Sequence, residues 1–133
     1  MFTAVRDGTG AEGIEGVEVR ARAALAATAA DVLAADGYLL GTPANLGTMS
    51  GALKHIFDTV YYPCLEETRG RPYGCYVHGN DDVEGALRDI ARIVTGLDWR
   101  QVQAPVRVIG APTATDLEVC WELGAAIAAG LMA

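Results

Sequence analysis

Two short segments combine small residues with amide, hydroxyl and carboxylate side chains, which suits close contact with a flat polar ligand. One covers residues 42–48 (TPANLGT) and the other covers residues 78–81 (HGND). Small residues let a ligand approach main-chain N–H and C=O groups, and amides and hydroxyls can meet mixed donors and acceptors on a ring edge. Tight turns between strands and helices need the same residue types, and composition alone favours that plainer interpretation.

No other group of side chains points to catalysis or metal binding. His55 falls on the polar face of a predicted helix, and His78 ends a predicted strand, where a hydrogen bond to the backbone is as good an explanation as a bond to a ligand. No third ligand completes a metal site with them, and no nucleophile–base set can be recognised, so the catalytic residues are unknown. The three cysteines form no C-x-x-C pair, which favours a reducing compartment and a cytoplasmic protein.

Alternating hydrophobic patterns supply the elements that would position the two segments. Period-two or continuous apolar runs predict strands, and apolar residues at i, i+3, i+4 and i+7 predict helices. A strand followed by a helix occurs four times in succession. This order predicts a single α/β domain over residues 1–133 with a parallel sheet covered on both faces. Ligands bind such sheets beyond the carboxyl ends of the strands, where both segments would lie. The predicted strands are 17–21, 38–40, 73–78 and 102–109, and the predicted helices are 28–35, 50–61, 81–94 and 115–131.

Composition excludes several classes of partner. The chain is 51% hydrophobic and carries a formal net charge of −7, so a packed core is expected and a nucleic-acid partner is not. No apolar run reaches the length of a membrane span, and the first ten residues do not resemble a secretory signal. The expected partner is therefore a small molecule, with neither nucleic acid nor membrane involved.

Residues 38–60 (YLLGTPANLGTMSGALKHIFDTV) resemble the third strand, flavin loop and following helix of flavodoxin-like proteins. The resemblance is to the NAD(P)H:quinone oxidoreductase and NADPH-dependent FMN reductase branch, with its form G-x-P-x-y-x-G-x-M-[ST]-G-x-x-K-x-F-x-D. Residues 73–82 (YGCYVHGNDD) look like the fourth strand and its loop. The positions that match the first form are Gly41, Pro43, Gly47, Met49, Ser50, Gly51, Lys54, Phe57 and Asp58.

The resemblance implies a flavodoxin-like three-layer α/β sandwich that binds FMN and passes electrons from NAD(P)H to a quinone or other small acceptor. It also implies a homodimer, because the family often builds its flavin site near a subunit contact. Two alternatives remain: a non-enzymatic electron carrier that docks through its acidic surface, and a flavin-free interaction protein of the same fold. The residues implied for the flavin ring are Thr42, Pro43, Ala44, Asn45, Leu46, Gly47 and Thr48 in the first segment, and His78, Gly79, Asn80 and Asp81 in the second.

The start of the chain departs from the family pattern. Flavodoxin-like folds have strand order 2-1-3-4-5, and the loop after the central first strand binds the FMN phosphate. Residues 2–7 look like the end of the first helix and residues 13–21 like the second strand, so that strand and loop would need about 20 residues ahead of Met1. Either the natural start lies elsewhere, or this is a shortened variant whose sheet is rearranged or is completed by a partner chain. Strong FMN binding is not expected without the phosphate loop.

Overall fold

The computed structural model describes residues 1–132, which form helices around one mostly parallel sheet. Its strands are β1 (Tyr38–Asn45), β2 (Thr48–Met49), β3 (Pro72–Gly79), β4 (Arg100–Gln101) and β5 (Val106–Ile109). Its α-helices are α1 (Phe2–Thr9), α2 (Ala29–Ala34), α3 (Gly51–Cys64), α4 (Glu84–Gly96) and α5 (Ala114–Gly130), with a 3₁₀ turn at Ala24–Ala26. None of these helices is both long and apolar enough to cross a membrane.

The sheet is centred on β3, which pairs in parallel with three strands. The β1 register runs from Tyr38 opposite Tyr73 to Pro43 opposite His78. On its other edge β3 pairs first with β4 and then with β5. Only the two-residue β2 is antiparallel, and it pairs with the end of β1. The predicted α/β class with a parallel sheet is therefore confirmed.

Helices cover both faces of the sheet and make a three-layer arrangement. On one face the larger core gathers residues from β1, β3, α3 and α4, and Trp99 stacks on Tyr38 with ring centroids 4.0 Å apart. On the other face, α1 and α5 enclose a smaller cluster around Val106 and Leu123. These two helices pack closely because Gly8 and Gly124 lack side chains. A Cβ on Gly8 would collide with the Trp121 carbonyl, and one on Gly124 with the Val5 carbonyl.

The C-terminal end of α2 is held by the side chain of Arg71, the residue immediately before β3. The Nη1 of Arg71 donates to the carbonyls of Leu33 at 2.9 Å and Ala35 at 2.7 Å, with longer contacts to Val32 O and the Tyr38 hydroxyl. A guanidinium is well suited to the partial negative charge of a helix C-terminus. It thereby fixes the connection from α2 into β1.

The predicted strand at 17–21 is wrong. The residues lie outside the sheet, and no strand within residues 1–132 pairs with them. Period-two alternation marks residues suited to a strand, but a strand forms only where a neighbour supplies the second half of its backbone hydrogen bonds. Of the strand predicted at 102–109, only Val106–Ile109 forms β5; β4 (Arg100–Gln101) lies before the predicted start, and Pro105 falls in the break between them.

Candidate cofactor site

Both segments singled out in the sequence lie at the carboxyl ends of adjacent strands. Pro43 is opposite His78 in the parallel register of β1 and β3. An open cavity of about 420 Å³ lies at this edge. Its volume falls in the range of small-molecule sites. It is lined by Met1, Gly41, Thr42, Pro43, Tyr76, His78 and Pro112.

The first segment forms a β-hairpin between β1 and β2, whereas the sequence predicted a loop following a strand that ends at Leu40. β1 continues to Asn45, which pairs with Thr48, and the two turn residues are Leu46 (φ 50°) and Gly47 (φ 79°). Two successive left-handed residues match the twist of a two-residue hairpin, and glycine adopts that conformation freely. Leu46 is fully exposed at the tip. The segment therefore presents a rigid edge with one projecting apolar side chain.

Hydroxyl groups in this segment brace the hairpin itself. Thr42 Oγ1 accepts from the Ser50 N–H at 2.9 Å and donates to the Pro43 carbonyl at 2.8 Å. Thr48 Oγ1 lies 3.0 Å from the Asn45 carbonyl. Their predicted contact with a flavin stays a prediction, and the exposed groups of the segment are at Pro43 and from Asn45 to Thr48.

Helix α4 packs against the hairpin and supports it. Asp89 Oδ2 accepts from the Met49 N–H at 3.1 Å. Gly85 lets the turn approach, since a Cβ there would collide with the Gly47 carbonyl. The hairpin is thus held by both a hydrogen bond and a close backbone contact. Neither partner was identified from the sequence, because both lie about 40 positions away in the chain.

The second segment has one buried and two exposed members beside His78. His78 Nε2 lies 2.7 Å from the Gly110 carbonyl, and the Gly110 N–H donates to Gly79 O at 2.8 Å, which ties the ends of β3 and β5 together. Gly79 is buried, while Asn80 and Asp81 are exposed. The backbone interpretation of His78 is therefore correct, and its ring also lines the cavity.

Two further residues at this edge, Tyr76 and Met1, were not predicted from the sequence to belong to the site. Tyr76 lies over Gly41, and burial raises the pKa of its phenol, which keeps it a neutral hydroxyl. Its position two residues before His78, on the same face of β3, is the signal that could have found it. Met1 brings the start of α1 to the cavity, and no side chain caps that start.

The groups at this edge suit a flavin ring better than they suit its phosphate. Exposed main-chain groups at the hairpin tip and the amides of Asn45 and Asn80 provide donors and acceptors for a ring edge. For an anion, the described residues offer the first-turn N–H groups of α1, which have no intrahelical acceptors. Within residues 1–132 no cluster of three or more histidine, cysteine or acidic side chains is arranged to hold a metal.

Comparisons with known proteins agree with this geometry. The family model for NADPH-dependent FMN reductase matches residues 11–111. A flavodoxin from Aquifex aeolicus (strain VF5) is 47% identical over 62 residues, which are 47% of this chain and 34% of that protein. The matched stretch therefore spans about a third of the curated relative's length.

Solved structures show the same fold. A flavodoxin from the domain Archaea superposes with a TM-score of 0.81 at 18% identity, over 96% of this chain and 85% of that one. A flavodoxin, WrbA-like protein from Agrobacterium tumefaciens gives a TM-score of 0.75 at 17% identity, over 96% and 85% of the two chains. At such identities the likeness establishes the flavodoxin-like architecture alone.

Proposed function

Because the chain belongs to the NADPH-dependent FMN reductase family, we propose that it binds FMN at the β1–β3 edge and passes electrons from NAD(P)H to a quinone or another small acceptor. The observation that supports this proposal is the register of Pro43 against His78, which brings members of both segments to the lining of one cavity. We also propose a cytoplasmic homodimer, on the strength of the family resemblance and the three unpaired cysteines.

The chain's own groups would hold the cofactor rather than react. The hairpin tip from Asn45 to Gly47 would border one side of the ring, and His78 to Asp81 the other. The start of α1 would face the phosphate. Bound FMN would supply the redox chemistry, accepting a hydride and releasing electrons. Backbone dipoles from two rigid segments would set the polarity around the ring.

A non-enzymatic electron carrier is the second candidate. The 47% identity to a flavodoxin over 62 residues favours it. The net charge of −7 also suits docking to basic redox partners. The two candidates differ in one observable, because a carrier binds FMN but oxidises NAD(P)H slowly even when a quinone is present.

The test is a titration of the purified 133-residue chain with FMN, followed by flavin fluorescence. Saturable binding is expected, and Leu46→Ala at the hairpin tip should weaken it several-fold. Leu25→Ala is the matched control, since Leu25 is also exposed but lies in the 3₁₀ turn. The FMN complex is then mixed with NADH or NADPH and a benzoquinone.

Rapid quinone-dependent oxidation of either nicotinamide supports the reductase, and bound FMN without turnover supports the carrier. An FMN titration that does not saturate, or equal affinities for the Leu46 and Leu25 variants, contradicts the proposed site. In the first of those cases the flavin-free interaction protein becomes the better description.

A further inference from the structure

The imidazole of His78 has one nitrogen bonded to the protein and one that is not. Nε2 lies 2.7 Å from the Gly110 carbonyl oxygen. Because a carbonyl oxygen can only accept a hydrogen bond, this contact requires Nε2 to carry the hydrogen. In a neutral imidazole, a hydrogen on one nitrogen leaves the other as an acceptor. The bond to Gly110 therefore makes Nδ1 the acceptor of the His78 ring.

The Gly110 carbonyl is held in place by the end of the sheet. Gly110 directly follows β5 with a φ of 77°, a left-handed conformation that glycine adopts without strain. Its N–H donates to the Gly79 carbonyl at 2.8 Å, and His78 lies opposite Val108 in the register of β3 and β5. Because the partner of Nε2 is a main-chain group, it cannot rotate away or ionise as a side chain can. The fold itself thus fixes the tautomer.

Nδ1 of His78 is accessible from the cofactor cavity. The bond from Nε2 is the one hydrogen bond that the His78 side chain makes within residues 1–132. Among those residues, no side-chain nitrogen or oxygen is both fully buried and without a hydrogen-bond partner. Since the His78 side chain is only partly buried, its Nδ1 must be reachable from outside the protein. The open space that this side chain lines is the cofactor cavity.

The side chains around the cavity do not supply a donor to Nδ1. Two of them, Thr42 and Tyr76, carry hydroxyl groups. The Thr42 hydroxyl already donates to the Pro43 carbonyl at 2.8 Å. The Tyr76 hydroxyl makes no hydrogen bond to His78 in the part of the chain that the structure describes. The donor that satisfies Nδ1 must therefore come from solvent or from a bound molecule.

We propose that His78 is a positioning residue for the cofactor, with Nδ1 accepting a hydrogen bond from a neutral donor of bound FMN. This inference rests on the proposed FMN function. Phosphate oxygens bring lone pairs and negative charge, so an acceptor nitrogen excludes the phosphate from this position. Oxidised FMN has two kinds of neutral donor, the N3–H of its ring and the hydroxyls of its ribityl chain. His78 thus selects which part of the cofactor faces β3.

Two amide substitutions separate the cavity bond from the bond to Gly110. The amide nitrogen of glutamine can take the position of imidazole Nε2, and the amide group of asparagine that of Nδ1. His78→Gln should keep the bond to Gly110 and lose the acceptor, which should weaken FMN binding by about three- to tenfold with little change in melting temperature. His78→Asn should lose the bond to Gly110 and melt at a lower temperature, yet bind FMN more tightly than His78→Gln.

A purely structural role for His78 predicts the opposite order. If the side chain acts only by tying β3 to β5, FMN affinity should fall together with the melting temperature, and the asparagine variant should bind more weakly than the glutamine variant. His55→Gln is the matched control, because His55 is the second of the chain's two histidines and is exposed on α3. It should change neither quantity.

Nitrogen NMR of the full chain with isotope-labelled histidine observes the tautomer directly. Spectra are recorded at about pH 8, where histidine side chains are ordinarily neutral. Without flavin, Nε2 of His78 should be protonated and Nδ1 unprotonated. Added FMN should move the Nδ1 resonance upfield, as an accepted hydrogen bond does, and leave both nitrogens of His55 unchanged.

Lumiflavin, which has the ring without the ribityl chain, separates the two sources of the donor. If His78→Gln weakens lumiflavin and FMN binding by the same factor, the donor is the ring N3–H. A nitrogen–nitrogen coupling across the hydrogen bond to labelled FMN would then join Nδ1 to N3. If only FMN binding is weakened, the donor is a ribityl hydroxyl. Either result supports the inference.

Three results would overturn this inference and leave the proposed function intact. They are a protonated Nδ1 in the flavin-free chain, an Nδ1 resonance that does not move when FMN saturates the site, and affinities that follow the melting temperatures of the two His78 variants. An FMN titration of the native chain that does not saturate contradicts the proposed function itself, and this inference with it. The two failures are distinguishable because only the second abolishes flavin binding by the native chain.

Discussion

Substitution of Gly41 tests whether the close contact beneath Tyr76 shapes the cofactor edge. A Cβ on Gly41 would lie 2.5 Å from Tyr76 Cε2 and still closer to Cζ and the hydroxyl oxygen. We expect Gly41→Ala to force the ring away from β1, towards the cofactor cavity that it lines. The variant should therefore lose both stability and FMN affinity.

The size of the effect follows from how freely the ring can move. Ordinary contacts between carbon atoms are about 3.5–4.0 Å, so the ring must shift by more than an ångström. Overpacking of a closed core costs about 1–3 kcal/mol. Tyr76 is only partly buried and faces open space, which places the expected loss near about 1–2 kcal/mol. For a chain of this length that corresponds to a melting temperature lower by about 4–8 °C.

The assay is a double-mutant cycle with Tyr76→Ala, read by thermal unfolding and by FMN titration. Once the ring is removed, the alanine at position 41 has nothing to displace, so its cost should fall to within about 0.5 kcal/mol of zero. Gly51→Ala is the control, because no atom lies within 4 Å of a Cβ built there. As the first residue of α3, it should be neutral or stabilising by up to about 1 kcal/mol.

Two results would refute this reasoning. If Gly41→Ala costs the same with and without the Tyr76 ring, the penalty arises from the strand backbone and not from the ring. If the variant is as stable as the native chain and binds FMN equally well, then the ring either adjusts freely or plays no part at this edge.

Further predictions concern the supports of the fold. Arg71→Met removes the donor that caps α2 and should cost about 2–4 kcal/mol in chemical denaturation, against little change for the exposed control Arg92→Met. Asp89→Ala should speed hydrogen exchange at the Met49 amide about tenfold or more, whereas Asp89→Asn, which keeps an acceptor oxygen, should restore much of the protection. Burial raises the pKa of the Cys75 thiol to about 11, from 9.0. As the pH rises, the thiol ionises in the unfolded chain before it ionises in the native protein. The stability that the buried neutral thiol contributes is therefore complete below pH 9 and is lost between about pH 9 and pH 11. The free energy of unfolding of Cys75→Ala should depend less on pH over that window.

Local patterns were sufficient to predict the longer helices and the central strands. Ser50 caps α3 by accepting from the Leu53 N–H at 3.1 Å, as its sequence position indicated. The apolar stripe from Leu53 to Val60 is buried as the periodicity required. These features depend on residues within a few positions of each other, so the sequence alone is sufficient to predict them.

Features that depend on distant partners were not predictable from the residues alone. The 17–21 segment has the alternation of a strand, but its state depends on whether a neighbour lies beside it. The hairpin requires Leu46 to adopt a left-handed backbone conformation, which its residue type disfavours. The contacts of Gly47 with Gly85 and of Met49 with Asp89, both in α4, hold the hairpin in place. The bond from His78 to Gly110 joins residues 32 positions apart, and neither residue type signals the other.

The register of the sheet accounts for the shape of the cofactor edge. β3 pairs on one side with β1 and on the other with β4 and β5, so its two neighbouring positions are filled. Among the described residues, β1 has one long partner, and Gly41 and Tyr76 line the cofactor cavity near its end. A substitution that shifts the Tyr76 ring therefore acts directly on the cofactor cavity, because Gly41 and Tyr76 both line it.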